Sequence, residues 1–311
     1  MNKFSNLETL NVCFDKGITA KNIMPAYYII EPTNVCNYQC VMCPNKDYQE
    51  NQKGHMNMDL FKKIIDEIKN YAIFVQLYWM GEPFLYSNLF QMIDYISANS
   101  EAKIIISTNG SLLDSNLIDK IICSNIYKLI VSLDAAKSQS IYKQIRVGGN
   151  LEKVNKNVSL LLEKNSNLKI DLQFIDFNIN KSEQEEFNKM WSGKNCRLTY
   201  SWLNTWANQF CELKNETYYD SPNSLIQRLP CSELWYKMCI HWNGNVSICC
   251  YDWNFKAIFG NLNESDVKVV WNSELINQYR NFHKNNQFEK VPLCTDCNEW
   301  ATIEEYKDIL E

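Results

Sequence analysis

At 311 residues the chain exceeds the usual size of one domain, and 46% hydrophobic with 22% charged residues is an ordinary globular composition. A net charge of −5 without any Lys/Arg run argues against nucleic acid, and no apolar run approaches the ~18 residues of a membrane span. Thirteen cysteines, an odd number in a chain without a signal-like start, fit metal-bound thiolates in a reducing cytoplasm better than a disulfide framework.

Residues 1–24 read as an N-terminal extension and 25–203 as the main domain. Within it, strand-like runs at 27–31, 73–79, 103–108, 128–133, 169–175 and 197–203 alternate with helix-like stretches at 59–70, 88–98, 115–123, 150–164 and 182–191. Ser182 and Glu185 open the last helix at capping-box spacing. Continuous apolar strands separated by helices predict an α/β fold with a covered parallel sheet. Six such units fit a partial (β/α)6 TIM-type barrel, whose functional residues gather at the C-terminal ends of the strands. At the end of the first strand stand Cys36, Cys40 and Cys43, in the Asn- and Pro-rich loop EPTNVCNYQCVMCPN. Three thiolates on one short loop hold three irons of a cubane cluster and leave the fourth open to a ligand.

Residues 204–230 show few periodic signals and are expected to bridge to a small C-terminal domain, 231–311. That domain carries a Trp-Asn-Gly-Asn turn at 242–245, a helix-like stretch at 265–283, and a second cysteine set: Cys231, Cys249, Cys294 and Cys297. Twelve residues separate Cys231 from Gly244 and four separate Gly244 from Cys249. The glycine suits a hairpin turn that draws both flanks toward one metal, and the closing C-x2-C pair presents two thiolates from one tight turn. Taken alone, this set also fits a zinc ribbon, and Cys239 is an alternative to Cys231.

The C-x3-C-x2-C loop resembles the radical S-adenosylmethionine (SAM) superfamily, and the likeness runs from about residue 25 to 300. The second set resembles the SPASM and twitch auxiliary-cluster domains, with four cysteines suiting the twitch form. The resemblance implies a SAM-binding [4Fe–4S] cluster on Cys36, Cys40 and Cys43, and a second [4Fe–4S] cluster on Cys231, Cys249, Cys294 and Cys297. It places Met42 near the adenine, and the Gly81-Glu82-Pro83 stretch at the SAM amino group. Ser107-Thr108-Asn109-Gly110 and Ser132-Leu133-Asp134 would meet ribose hydroxyls or the methionine carboxylate, and Arg146 the SAM carboxylate. Read singly, Gly-Glu-Pro is also a turn, Asp134 a helix cap and Arg146 a surface charge.

The implied chemistry is reductive cleavage of SAM to a 5′-deoxyadenosyl radical, with a reductant such as flavodoxin or ferredoxin as partner. The radical takes hydrogen from a C–H bond of a small, carbohydrate-like molecule. A second cluster that accepts the substrate's electron makes the product a ketone, whereas a thiol that returns hydrogen makes it an epimer. Cys250 is the candidate donor; it is otherwise a small buried hydrophobe. Cys13, Cys123, Cys196 and Cys211 are expected to be structural thiols. Arg146 and Asp252 are candidate proton acceptors, and Trp202, Trp206, Trp235, Tyr236, Trp242, Tyr251 and Trp253 are expected around the domain junction. The layout is similar to cyclitol dehydrogenases and aminoglycoside epimerases, so dehydrogenation of a polyol, cyclitol or amino sugar is the leading expectation. Epimerisation is its nearest rival. Peptide modification is disfavoured because only about 26 residues precede the first strand. A zinc or iron–sulfur binding module is the non-enzyme alternative.

Overall fold

The computed structural model describes residues 3–18, 23–165, 167–210, 212–213, 228–297 and 299–301; Cys211 and most of the expected bridge lie outside them. Six strands build the first part: β1 (Tyr27–Ile30), β2 (Phe74–Gln76), β3 (Lys103–Thr108), β4 (Ile126–Ser132), β5 (Lys169–Asp176) and β6 (Arg197–Trp202). Three more follow, β7 (Lys237–Ile240), β8 (Asn245–Ser247) and β9 (Ile258–Asn261). All nine form one sheet in the order β6-β5-β4-β3-β2-β1-β7-β8-β9. Neighbours among β1 to β6 pair in parallel. Helices occupy every crossover, which is the partial (β/α) barrel expected from the alternation.

In chain order the helices are α1 (Lys3–Lys16), α2 (Met58–Ile68), α3 (Leu89–Asn99), α4 (Ser115–Ile122), α5 (Gln139–Ile145), α6 (Leu151–Lys164), α7 (Gln184–Trp191), α8 (Glu233–Tyr236), α9 (Val267–Trp271) and α10 (Glu274–Lys284). α2 shows why the crossovers hold. Asn57 caps its start through the amides of Asp59 and Leu60, and Leu60, Phe61, Ile64, Ile65 and Ile68 form its buried stripe. The four residues of β1 are buried without alternation, as a strand covered on both faces requires.

Three local expectations change. The 182–191 helix starts at Gln184 after a 3-10 turn, without the Ser182–Glu185 capping box, and the Glu183 carboxylate accepts the amides of Ala136, Lys137 and Ser138. The 265–283 helix is two, α9 and α10, divided at Asn272 and Ser273. Helix α1 was not expected, since its weakly patterned sequence buries only Asn6, Leu7, Leu10 and Cys13.

β7 runs parallel to β1, from Tyr27 opposite Lys237 to Ile30 opposite Ile240. The antiparallel β7–β8 hairpin turns at Gly244, whose φ of +86° is natural for glycine alone. The C-terminal strands therefore extend the barrel's own sheet. Among the described residues no helix is long and apolar enough to cross a membrane.

Candidate active site

The loop after β1 is pinned from several sides. Asn45 donates to the carbonyls of Asn34 and Met80 at 2.5 and 2.9 Å, and the amides of Gln39 and Val41 donate to Val147 and Ile145. Cys36, Cys40 and Cys43 consequently share one buried patch. Burial pushes the Cys36 thiol up to about 11 and the Cys43 thiol up to about 12; Cys40 rises for the same reason. The Cys40 charge raises both Cys36 and Cys43. Among the described residues no three ligands close on a single metal ion; the set's chemistry, three thiols that a cationic centre would ionise, is that of iron–sulfur ligands.

Gly81 explains how the second strand's loop reaches this patch. A Cβ there would lie 2.3 Å from the Thr33 carbonyl oxygen and 2.8 Å from that of Val35. Next to it the Glu82 amide donates to Val35 at 2.9 Å. The Glu82 carboxylate is almost fully buried and accepts from Thr108 Oγ1 and the Asn109 amide, both at 2.8 Å, and from the Phe84 amide. Pro83 opens the short turn that Glu82 caps. Burial pushes Glu82 up to about 7 despite these donors. An ammonium group is the partner such a carboxylate lacks.

The ends of β3 and β4 complete the rim. Asn109 donates to Asn37 Oδ1, and Asn37 donates to Ser111, which ties the cysteine loop to β3. Ser107 lies on β3 one residue earlier than Thr108, and the Ser132 hydroxyl contacts Gln173 at 3.2 Å. Asp134 and Arg146 form a buried pair: Arg146 Nε and Nη2 approach Asp134 Oδ2 at 2.6 and 2.5 Å. Asp134 Oδ1 accepts the Ile175 amide at 2.7 Å. Asp134 is thus neither a helix cap nor a surface group, and Arg146 is no solvated charge. Arg146 Nη1 also approaches Cys40 Sγ at 3.7 Å, which ties the pair to the cysteine loop. Met42 is buried, and its carbonyl accepts Trp206 Nε1 at 2.8 Å.

Cys231, Cys249, Cys294 and Cys297 all line one cavity of about 420 Å³, counting its open mouth. Burial raises all four thiols, and Cys294 and Cys297 further raise Cys231 and Cys249. Four cysteines around one space present the donor set of an iron–sulfur centre, as the first three do. Cys239 is on β7, fully buried, and does not line this cavity. The Cys250 thiol is pushed up to about 12 by burial and then by Glu233, while its carbonyl accepts Trp79 Nε1 at 2.8 Å. Asp252 accepts the amides of Lys256 and Ala257.

The expected aromatic group divides. Trp206 meets Tyr251 edge-on and Trp253 packs on Tyr48 and Phe210, whereas Trp235 packs on Phe14 of α1 and Trp202 is exposed. Sequence reading missed His283 and Arg228, which line the second cavity, and the buried Glu31–His241 pair at 3.7 Å. No spacing signal marks any of them; they converge only in the fold.

Residues 30–187 match the family model of the radical SAM superfamily, and residues 231–298 match that of the SPASM iron–sulfur cluster-binding domain. The chain is 26% identical to a tungsten-containing aldehyde ferredoxin oxidoreductase cofactor-modifying protein of Pyrococcus furiosus, over 88% of this chain and 87% of the relative. It is 24% identical to an S-adenosyl-L-methionine-dependent 2-deoxy-scyllo-inosamine dehydrogenase of Niallia circulans, over 90% and 96% respectively. Among solved structures, BtrN in complex with AdoMet and 2-DOIA shares the fold at a TM-score of 0.62 and 19% identity, covering 90% of this chain and 94% of that one. Streptococcus suis SuiB bound to precursor peptide SuiA shares it at 0.69 and 16% identity, over 97% and 77%.

Proposed function

The chain belongs to the radical SAM superfamily, and on that premise we propose that it dehydrogenates an alcohol carbon of a polyol, cyclitol or amino sugar. It is an enzyme that uses SAM with a [4Fe–4S] cluster, and its SPASM domain adds iron–sulfur content. Bound together, SAM and the reduced cluster supply a 5′-deoxyadenosyl radical.

In this reading Cys36, Cys40 and Cys43 hold three irons of the first cluster. Glu82 receives the SAM amino group, held in place by Thr108 and Asn109. Asp134 orients Arg146, whose guanidinium reaches toward the cysteine loop and is placed to meet the SAM carboxylate. Met42 packs near the adenine, Gly81 and Pro83 set the turn that carries Glu82, and Ser107 and Ser132 face the ribose hydroxyls or the methionine carboxylate. A flavodoxin- or ferredoxin-type protein is the expected electron donor.

The observation that carries the dehydrogenase reading is the single cavity lined by Cys231, Cys249, Cys294 and Cys297. A centre with four protein thiolates has no open iron for substrate, so its function is to move electrons. The Niallia circulans dehydrogenase, related over almost its whole length, supports an alcohol of the cyclitol class. Incubation with amino cyclitols, SAM and a reductant should yield a ketone and 5′-deoxyadenosine in equal amounts. Catalytic reuse of SAM, or solvent deuterium at an inverted carbon that is lost in Cys250→Ala, would replace this reading with epimerisation. Ahead of that assay, anaerobic reconstitution should give about eight irons, falling to about four when Cys36, Cys40 and Cys43 are all changed to Ala.

A further inference from the structure

Two nitrogen-bearing side chains stand beside the four thiols without a role so far. His283, on α10, is fully buried and lines the second cavity. Its Nδ1 accepts the backbone N–H of Cys231 at 3.2 Å. An imidazole whose Nδ1 accepts an N–H must carry its proton on Nε2. That Nε2 has no hydrogen-bond partner among the described residues.

Arg228 lines the same cavity and repeats the pattern. Its Nη1 donates to the Cys294 carbonyl at 2.7 Å and its guanidinium lies 4.2 Å from the Phe288 ring centroid. Its Nε is buried and lacks a partner among the described residues. Of the two carboxylates that also line the cavity, Glu233 Oε1 pairs with Lys237 at 2.6 Å, and Glu299 Oε1 accepts the Thr205 amide and hydroxyl. Buried donors left unmatched are costly, and native folds rarely keep them. Here two of them border a space surrounded by sulfur.

We propose that His283 Nε2–H and Arg228 donate hydrogen bonds to the sulfurs of the centre held by Cys231, Cys249, Cys294 and Cys297, and so raise its reduction potential. The centre gains one negative charge when reduced, and donors or a guanidinium at its sulfurs stabilise that form more than the oxidised one. Only the use made of the electron rests on the dehydrogenase reading. There, the substrate radical would give up one electron and one proton as its C–O bond becomes C=O; a centre on these four cysteines would take the electron, and a flavodoxin- or ferredoxin-type carrier would remove it.

The test is a potentiometric titration followed by electron paramagnetic resonance, on full-length protein in which Cys36, Cys40 and Cys43 are Ala and only the second centre remains. His283→Leu and Arg228→Gln should each make the centre about tenfold harder to reduce, a shift of about 59 mV for one electron. His283→Gln, which keeps an N–H, should shift it less. An unchanged midpoint in both single variants, with iron content intact, overturns the proposal. If His283→Leu fails to hold iron, Arg228→Gln decides alone, and a wild-type midpoint there overturns it equally. No substrate enters the titration, so a failure to oxidise any alcohol would sink the dehydrogenase reading while leaving this one standing.

Discussion

Glu82 shows how one side chain couples ligand binding to pH. Burial holds its carboxyl up to about 7 against an ordinary value of 4.5, so the ligand-free fold favours the protonated form. That contribution to stability is present below pH 4.5 and is lost as the pH rises through about 7. On the proposal that Glu82 receives SAM's ammonium as a carboxylate, SAM affinity should rise roughly tenfold per pH unit up to about 7 and fall again as the ligand's amino group deprotonates above about 8. Isothermal titration across that range checks the sign, and Glu82→Gln should flatten the acid limb and weaken binding about tenfold or more. The Asp134–Arg146 pair poses a different test. Asp134→Asn leaves a buried guanidinium without its charge partner, which should cost about 3–5 kcal/mol of stability in denaturant titration. The position of the Gly-Glu-Pro stretch beside the cysteine loop follows from its place just after β2, which the apolar run at 73–79 marks in the sequence. The ion pair was not legible there, because Asp134 and Arg146 were each assigned to SAM and no spacing rule shows that they face one another.

At the scale of elements, apolar runs alternating with helix-like stretches located all six barrel strands to within a few residues, although only β1 is buried throughout and β6 mixes exposed with half-buried positions. What that pattern missed depends on long-range contacts. α1 has little amphipathic pattern of its own, and the break between α9 and α10 is set by packing rather than by a proline or glycine. The junction of the Gly81 loop with the cysteine loop is likewise visible only in three dimensions. Gly81→Ala would force its methyl into the Thr33 carbonyl at 2.3 Å, and the backbone on one side must move. Reconstituted protein of that variant should lose iron at the first cysteine set while retaining about four at the second.

For the molecule as a whole, the sequence suggested a parallel barrel followed by a cysteine-rich region and gave no sign that one sheet spans both. β7 covers the edge that β1 would otherwise present. A protein ended after residue 203 should therefore expose an apolar strand edge and aggregate, which light scattering on the purified fragment would detect; a stable monomer would contradict it. The shared sheet also bears on the passage of charge between the two thiol clusters. Electron tunnelling weakens steeply with every added ångström, and a hinge between the clusters would make its rate fluctuate with each swing. Here the strand that leads into Cys36 and the strand that leaves Cys231 are locked in register by backbone hydrogen bonds. The spacing of these two strands is set by the same bonds that hold the fold, so it changes only if the sheet itself comes apart.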